Sequence, residues 1–263
     1  MIDNDFNIII DYVNNSPWLD NTDTKIIIEK AYLVYNSIIQ NKTKEKVLYR
    51  LCGQTGSGKT TQLLKMSEAY CRKKNYNPVV LGVRVCSEFH PNYSLLLKKV
   101  GKDNIREATN GFALKCMSYV LKLLIENGYM ILLDITLLDP IYEKYILDLL
   151  NNNDYIVKYH IMSVSNNIST KFLKKRELET GRKVSNSSSE YFNYILDKGY
   201  EYLVNNDNRN ISYIWNAFDL EPKYVGLIQD SKTIFTYNRT LEKEFKHTEK
   251  ELVNAKIAYL INE

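Results

Sequence analysis

A doubly wound α/β fold on a mostly parallel sheet is what this sequence predicts, and three observations predict it. Strand-like and helix-like segments alternate through most of the chain. The run Tyr129–Asp134, YMILLD, is continuously apolar and ends in an acid, as a strand buried on both faces of a parallel sheet does. A short apolar strand, Val47–Cys52, runs straight into the glycine-rich run Gly53–Thr60, and a helical pattern follows directly. A helical extension (residues 1–45) is expected before this domain (46–240), and a C-terminal helix (241–263) after it.

Taken in order, Lys25–Gln40 places Ile27, Ala31, Val34 and Ile38 at helical spacing, and Asn41–Glu45 is a polar break. Thr60–Lys74 reads as helix. Pro78–Val85, PVVLGVRV, is β-branched and reads as strand. Ile105–Asn127 is helical in pattern and stops at Gly128. Pro140–Leu150 reads as helix and Tyr155–Val164 as strand. Lys171–Arg182 is a basic helical stretch, Glu190–Val204 a further helix, and Ile211–Trp215 a strand. Lys223–Ile228 and Thr233–Tyr237 form a candidate hairpin, and Glu242–Ile261 the terminal helix.

Composition removes several classes of function. The 263 residues are 44% hydrophobic and 25% charged, which excludes wholesale disorder and is enough to bury a core. No apolar run approaches the ~18 residues of a membrane span. The N-terminus opens on acids with only Ile8–Ile10 as an apolar run, the reverse of a secretory signal. Cys52, Cys71, Cys86 and Cys116 form no CxxC pair and read as buried thiols, so a cytoplasmic location is expected. The 35 basic and 31 acidic residues give a charge of +4, too balanced to argue for a nucleic-acid partner.

Gly53-Gln54-Thr55-Gly56-Ser57-Gly58-Lys59-Thr60 fits G-x-x-x-x-G-K-[ST], with Thr61 behind it. In this pattern glycines turn backbone N–H groups inward around phosphates, and the following helix adds its N-terminal dipole. Lys59 supplies a charge to the β- and γ-phosphates, and the Thr60 hydroxyl is offered to Mg²⁺. Asp134, closing the YMILLD strand, stands where an acid meets the metal or acts as base; its plainer role is to cap the next helix. No N-K-x-D stands in the sequence, which disfavours a GTPase. The fold is therefore expected to be of the P-loop kinase type, with ATP and Mg²⁺ as cofactors. Such a kinase needs a cationic lid over the transferring phosphoryl group. Lys171–Lys183, carrying Arg176 and Arg182, fits that need, against the alternative of a solvated basic helix face.

These motifs resemble the zeta-toxin family, P-loop kinases of bacterial toxin–antitoxin systems. The resemblance covers about residues 45–240. After GQTGSGKT comes Glu88-Phe89-His90-Pro91-Asn92-Tyr93, similar to the family's His-Pro-Asn/His-aromatic run. Leu132-Leu133-Asp134-Ile135-Thr136 resembles its third-strand motif, and the stretch with Arg176 and Arg182 its arginine-bearing lid. The resemblance implies transfer of the ATP γ-phosphate to a sugar hydroxyl, as known members do with UDP-N-acetylglucosamine, and a small helical antitoxin as partner. It also places Arg84, Glu88, His90 and Thr136 on the substrate side.

The departures lie on that side. The family's Asp-x-Asp after the second strand falls on Gly82 and Arg84, and an Arg cannot act as a base. An Arg expected after the third-strand motif is Leu138, and the motif's Glu is Asp134. Glu88 and Asp134 are the candidate bases, and His90 beside Pro91 shapes its loop. Three readings stay open: a kinase of a small hydroxyl-bearing metabolite, a nucleotide-binding module that no longer catalyses, and a polynucleotide 5′-kinase.

Overall fold

A computed structural model describes residues 4–16, 20–53, 56, 58–135, 140–163, 173–178, 202, 211–216, 224–229, 232–238 and 243–244. Its helices are α1 (Asn4–Asn14), α2 (Thr24–Ile38), α3 (Leu64–Lys73), α4 (Val83–Ser87), α5 (Tyr93–Glu126) and α6 (Pro140–Asn151). Its strands are β1 (Val47–Gly53), β2 (Val79–Gly82), β3 (Ile131–Asp134), β4 (Ile156–Ser163), β5 (Ile211–Asn216), β6 (Tyr224–Gln229), β7 (Lys232–Asn238) and β8 (Lys243–Glu244).

The strands form one sheet in the order β2-β3-β1-β4-β5-β6-β7-β8. The first five are mutually parallel, and β6, β7 and β8 extend the sheet antiparallel. β1 lies between β3 and β4, so all seven of its residues are buried. Alternate side chains of β1 enter different cores. Leu48 and Cys52 join the core formed with α1, α2, α5 and α6. Val47, Tyr49 and Leu51 join the smaller core of Leu63, Cys71, Met130 and Leu132 on the face covered by α3. The sheet thus carries helices on both faces, the doubly wound arrangement that alternating strands and helices demand.

Each helix has a local cause. Phe6, Ile9 and Val13 recur at helical spacing along α1, and all are fully buried. Asp23 caps α2, its Oδ1 accepting the Lys25 N–H at 2.7 Å. Gly128, at φ 72°, closes the chain behind α5, as the sequence predicts.

Three expectations change in detail. The strand predicted to Val85 stops at Gly82, and Val83–Ser87 is helical despite its β-branched residues. Burial of Cys86 and Ser87 under α5 outweighs the local preference there. The helix predicted from Ile105 begins at Tyr93, with Gly101 at φ 77° kinking it. At the C-terminus, Lys243–Glu244 pair with β7 as strand, and the rest of the predicted terminal helix lies outside the described residues. Tyr202 is helical; the remainder of Glu190–Val204 also lies outside them. The predicted hairpin is present as β6–β7. All four cysteines are free and buried.

Candidate functional site

Parallel strands bring the loops after their C-terminal ends to one edge of the sheet, where open α/β folds bind ligands. Gly53 at the end of β1, Asp134 at the end of β3 and helix α4 after β2 all meet that edge. Since β3 lies between β1 and β2, Asp134 sits between the glycine-rich loop and α4.

Gly56 (φ 82°) and Gly58 (φ 88°) adopt left-handed conformations that a side chain would resist. Gly58 opens a π-type turn, Lys59–Leu63, in which the Leu63 N–H reaches the Gly58 carbonyl at 3.4 Å. This turn aims consecutive residues at Asp134. Lys59 Nζ contacts Asp134 Oδ1, and Thr60 Oγ1 donates to Asp134 Oδ2 at 3.0 Å. Both partners are largely shielded, with the Lys59 side chain 17% and that of Asp134 13% exposed. One carboxylate therefore gathers an ammonium and a hydroxyl at the mouth of the loop. Thr60 and Asp134 present hard oxygen donors side by side, the donor type that suits Mg²⁺ shared with phosphates. Among the described residues no cluster of three or more His, Cys, Asp or Glu side chains could hold a metal.

At the other side, Gly82 stands opposite Asp134 in register. A Cβ at Gly82 would approach the Asp134 carbonyl oxygen to 3.0 Å, so glycine keeps the two strand ends close. Arg84 is the second residue of α4, exposed at the same edge, and Glu88 is exposed at the end of that helix. His90 is held more tightly. Its Nδ1 accepts the Asn92 N–H at 3.0 Å, and its ring packs edge-on against Phe112. Burial lowers its pKa, against the opposing pull of Asp20. Arg176 lies half-buried on the helical stretch 173–178, where Lys174 and Lys175 are exposed. Gln54, Thr55, Ser57, Thr136, Leu138 and Arg182 lie outside the described residues, as does the Thr61 side chain.

Several supporting groups are absent from the sequence motifs. Arg50, in the middle of β1, donates from Nη2 to Glu143 Oε1 of α6 at 2.8 Å, and both are buried. Burial is the largest influence and works against the guanidinium charge, but Glu143, with Cys52, Tyr142 and Tyr159 adding, together outweighs it, and the Arg50 pKa rises. His160 of β4 is buried beside Ser67 of α3, and burial, with Lys158 adding, pushes its pKa down to about 3. Lys115 of α5 bonds Asn14 and Asp20. A charged residue inside an apolar strand was the signal available for Arg50; its partner 93 positions away had none.

No helix among the described residues is long and apolar enough to cross a membrane. Comparison with protein families matches residues 33–206 to the model described as Zeta toxin. No curated protein matches. Among solved structures, the chain is similar to one from a study of the PezAT chromosomal toxin–antitoxin system of Streptococcus pneumoniae. The TM-score is 0.58 at 18% identity, over 92% of this chain and 95% of that one, a likeness of fold. A second, from the AvrRxo1-ORF1:-ORF2 complex, aligns over 98% of this chain and 71% of that one with 12% identity and a TM-score of 0.48.

Proposed function

Because the chain belongs to the zeta toxin family, we propose that it is an ATP-dependent phosphotransferase acting on a hydroxyl of a small metabolite. The observation that carries this reading is the convergence of Lys59 and Thr60 on Asp134, beside the left-handed Gly56 and Gly58. Backbone N–H groups of the glycine-rich run cradle the β- and γ-phosphates, and Lys59 turns from Asp134 to them. Thr60 and Asp134 would hold Mg²⁺, which when bound would neutralise charge on the phosphates. Arg176 and Arg182 meet the charge that develops during transfer.

The acceptor approaches from the α4 side. Arg84, exposed there, cannot take a proton but can grip a phosphate or carboxylate through two N–H donors. An acceptor bearing such an anion suits the site, and Glu88 receives the hydroxyl proton, or Asp134 does so in a geometry where Thr60 and water hold the metal. A small helical antitoxin is the protein partner proposed, in keeping with the toxin–antitoxin system of the Streptococcus pneumoniae structure.

Incubation with Mg·ATP and a bacterial metabolite extract, followed by mass spectrometry, tests the proposal. A new phosphorylated small molecule is expected from the wild type and none from Lys59→Ala. ATP that is bound but not consumed would favour a nucleotide-binding module without catalysis, for which Arg84 in the base position is the sequence support. A phosphorylated oligonucleotide would favour a polynucleotide kinase. Expression of the active protein alone is expected to stop growth, and Lys59→Ala to restore it.

A further inference from the structure

The segment before α2 reaches the acceptor side of the site through one buried lysine. Lys115 lies in α5 with its side chain 1% exposed. Its Nζ donates to Asn14 Oδ1 at 2.7 Å and to the Asp20 backbone carbonyl at 2.6 Å, with Asp20 Oδ2 at 3.4 Å. An ammonium has three protons, and here three acceptors surround it. Asp20 Oδ1 accepts from Thr22 Oγ1 at 2.9 Å and faces His90 Nε2 across 4.0 Å. Because His90 Nδ1 accepts the Asn92 N–H, the proton of the neutral ring sits on Nε2, toward that carboxylate.

His90 belongs to the turn joining α4 to α5. Its N–H reaches the Ser87 carbonyl at 3.2 Å, and its own carbonyl accepts from Tyr93 N–H at 2.9 Å. Its ring rests on Phe112, one helical turn from Lys115. Phe6, Ile9 and Val13 already anchor α1 in the core by apolar burial. A buried charged pair adds little to stability compared with apolar residues of the same volume. What Lys115 and Asp20 add is direction: a fixed carboxylate opposite the Nε2 edge of the His90 ring.

We infer that Asp20 is a positioning residue for the acceptor site, its carboxylate, held by Lys115, setting the His90 turn and with it the helix that presents Arg84. This rests on the proposed function in taking the α4 side as the acceptor side. Asp20 touches neither the glycine-rich loop nor Asp134 in the described contacts, so its loss should spare nucleotide binding. The effect is on geometry at the acceptor, where a displacement of about 1 Å can cost roughly 10²-fold in rate.

The test uses the full chain as wild type, Asp20→Asn and Asp20→Glu. Hydrogen exchange is followed in peptides covering 84–96 and 47–64, and phosphoryl transfer from Mg·ATP uses UDP-N-acetylglucosamine as the acceptor probe. Asp20→Asn is expected to speed exchange in 84–96 by about tenfold and leave 47–64 unchanged. It should raise KM for the probe by about fivefold or more at constant KM for ATP. Asp20→Glu, which keeps the charge, should recover most of both. Unchanged exchange in 84–96, equal rises in both KM values, or failure of Asp20→Glu to recover would overturn the inference. If the wild type transfers nothing to the probe, the proposed acceptor chemistry is at fault, and exchange with its Glu recovery decides the role of Asp20 alone.

Discussion

Replacing Glu143 by Gln keeps the shape of the side chain and removes the charge that Arg50 faces. Arg50 and Glu143 are 1% and 3% exposed and 2.8 Å apart, so almost no water can substitute for the lost carboxylate. Removing one partner of a buried pair costs about 3–5 kcal/mol, because the other charge stays behind in a low-dielectric site. A chain of this size shifts its melting temperature by about 2–4 °C per kcal/mol. Glu143→Gln should therefore melt roughly 6–20 °C below the wild type. The double variant Arg50→Met, Glu143→Leu removes both charges at similar volume and should regain most of that loss, since apolar replacements of buried pairs are often neutral or stabilising. Differential scanning calorimetry at pH 7 on all three proteins reads both effects. A Glu143→Gln melt within about 2 °C of wild type, or a double variant as unstable as the single, would refute the reasoning.

Gly82→Ala should push the Asp134 carbonyl away by a few tenths of an ångström, since the new Cβ would stand at 3.0 Å. We expect a turnover loss of roughly tenfold with a melting shift of only a few degrees, and normal turnover would show that the strand ends give way freely. Arg176→Ala and Arg182→Ala should each lower turnover by roughly 10²-fold with a smaller change in ATP affinity, measured by titration calorimetry. Full turnover of both would return that stretch to a solvated helix face. His160, with its pKa driven from 6.5 to about 3, stays neutral in the fold while the unfolded chain takes up a proton below pH 6.5. Its contribution is thus present above pH 6.5 and is lost as pH falls toward 3, at up to about 1.4 kcal/mol per unit. Denaturant titrations from pH 7 to 4 should show a flatter decline for His160→Gln, and parallel declines would count against this origin.

The parts legible in the sequence are those written locally. YMILLD announces a strand buried on both faces because that burial needs no alternation, and GQTGSGKT announces the loop because two left-handed glycines must stand where they do. Helix α4 was hidden because Val83 and Val85 favour strand, and only the packing of Cys86 under α5 decides otherwise. The first turns of α5 were masked by polar residues and by Gly101, which reads as a breaker and acts as a kink. On the acceptor side, His-Pro-Asn was visible, but nothing near it pointed to Asp20 or Lys115. Those contacts join residues 95 positions apart, and such pairing leaves no periodic trace.

The position of β1 also dictates when the site can exist. Its two neighbours, β3 and β4, are both synthesised after it, and the Lys59–Asp134 contact spans 75 residues. Helices α1 and α2 emerge early but bury their apolar faces in a core shared with the later α5 and α6, and the glycine-rich loop has no sheet to brace it until Ser163 is free. At translation speeds of roughly 5–20 residues per second, that interval is on the order of ten seconds. Parallel pairing between such distant segments is slow in any case, because loop closure must precede the contacts that reward it. The nascent chain therefore lacks the assembled Lys59–Asp134 pair through much of its own synthesis, and the order in which its strands emerge makes the site one of the last parts of the sheet's edge to close.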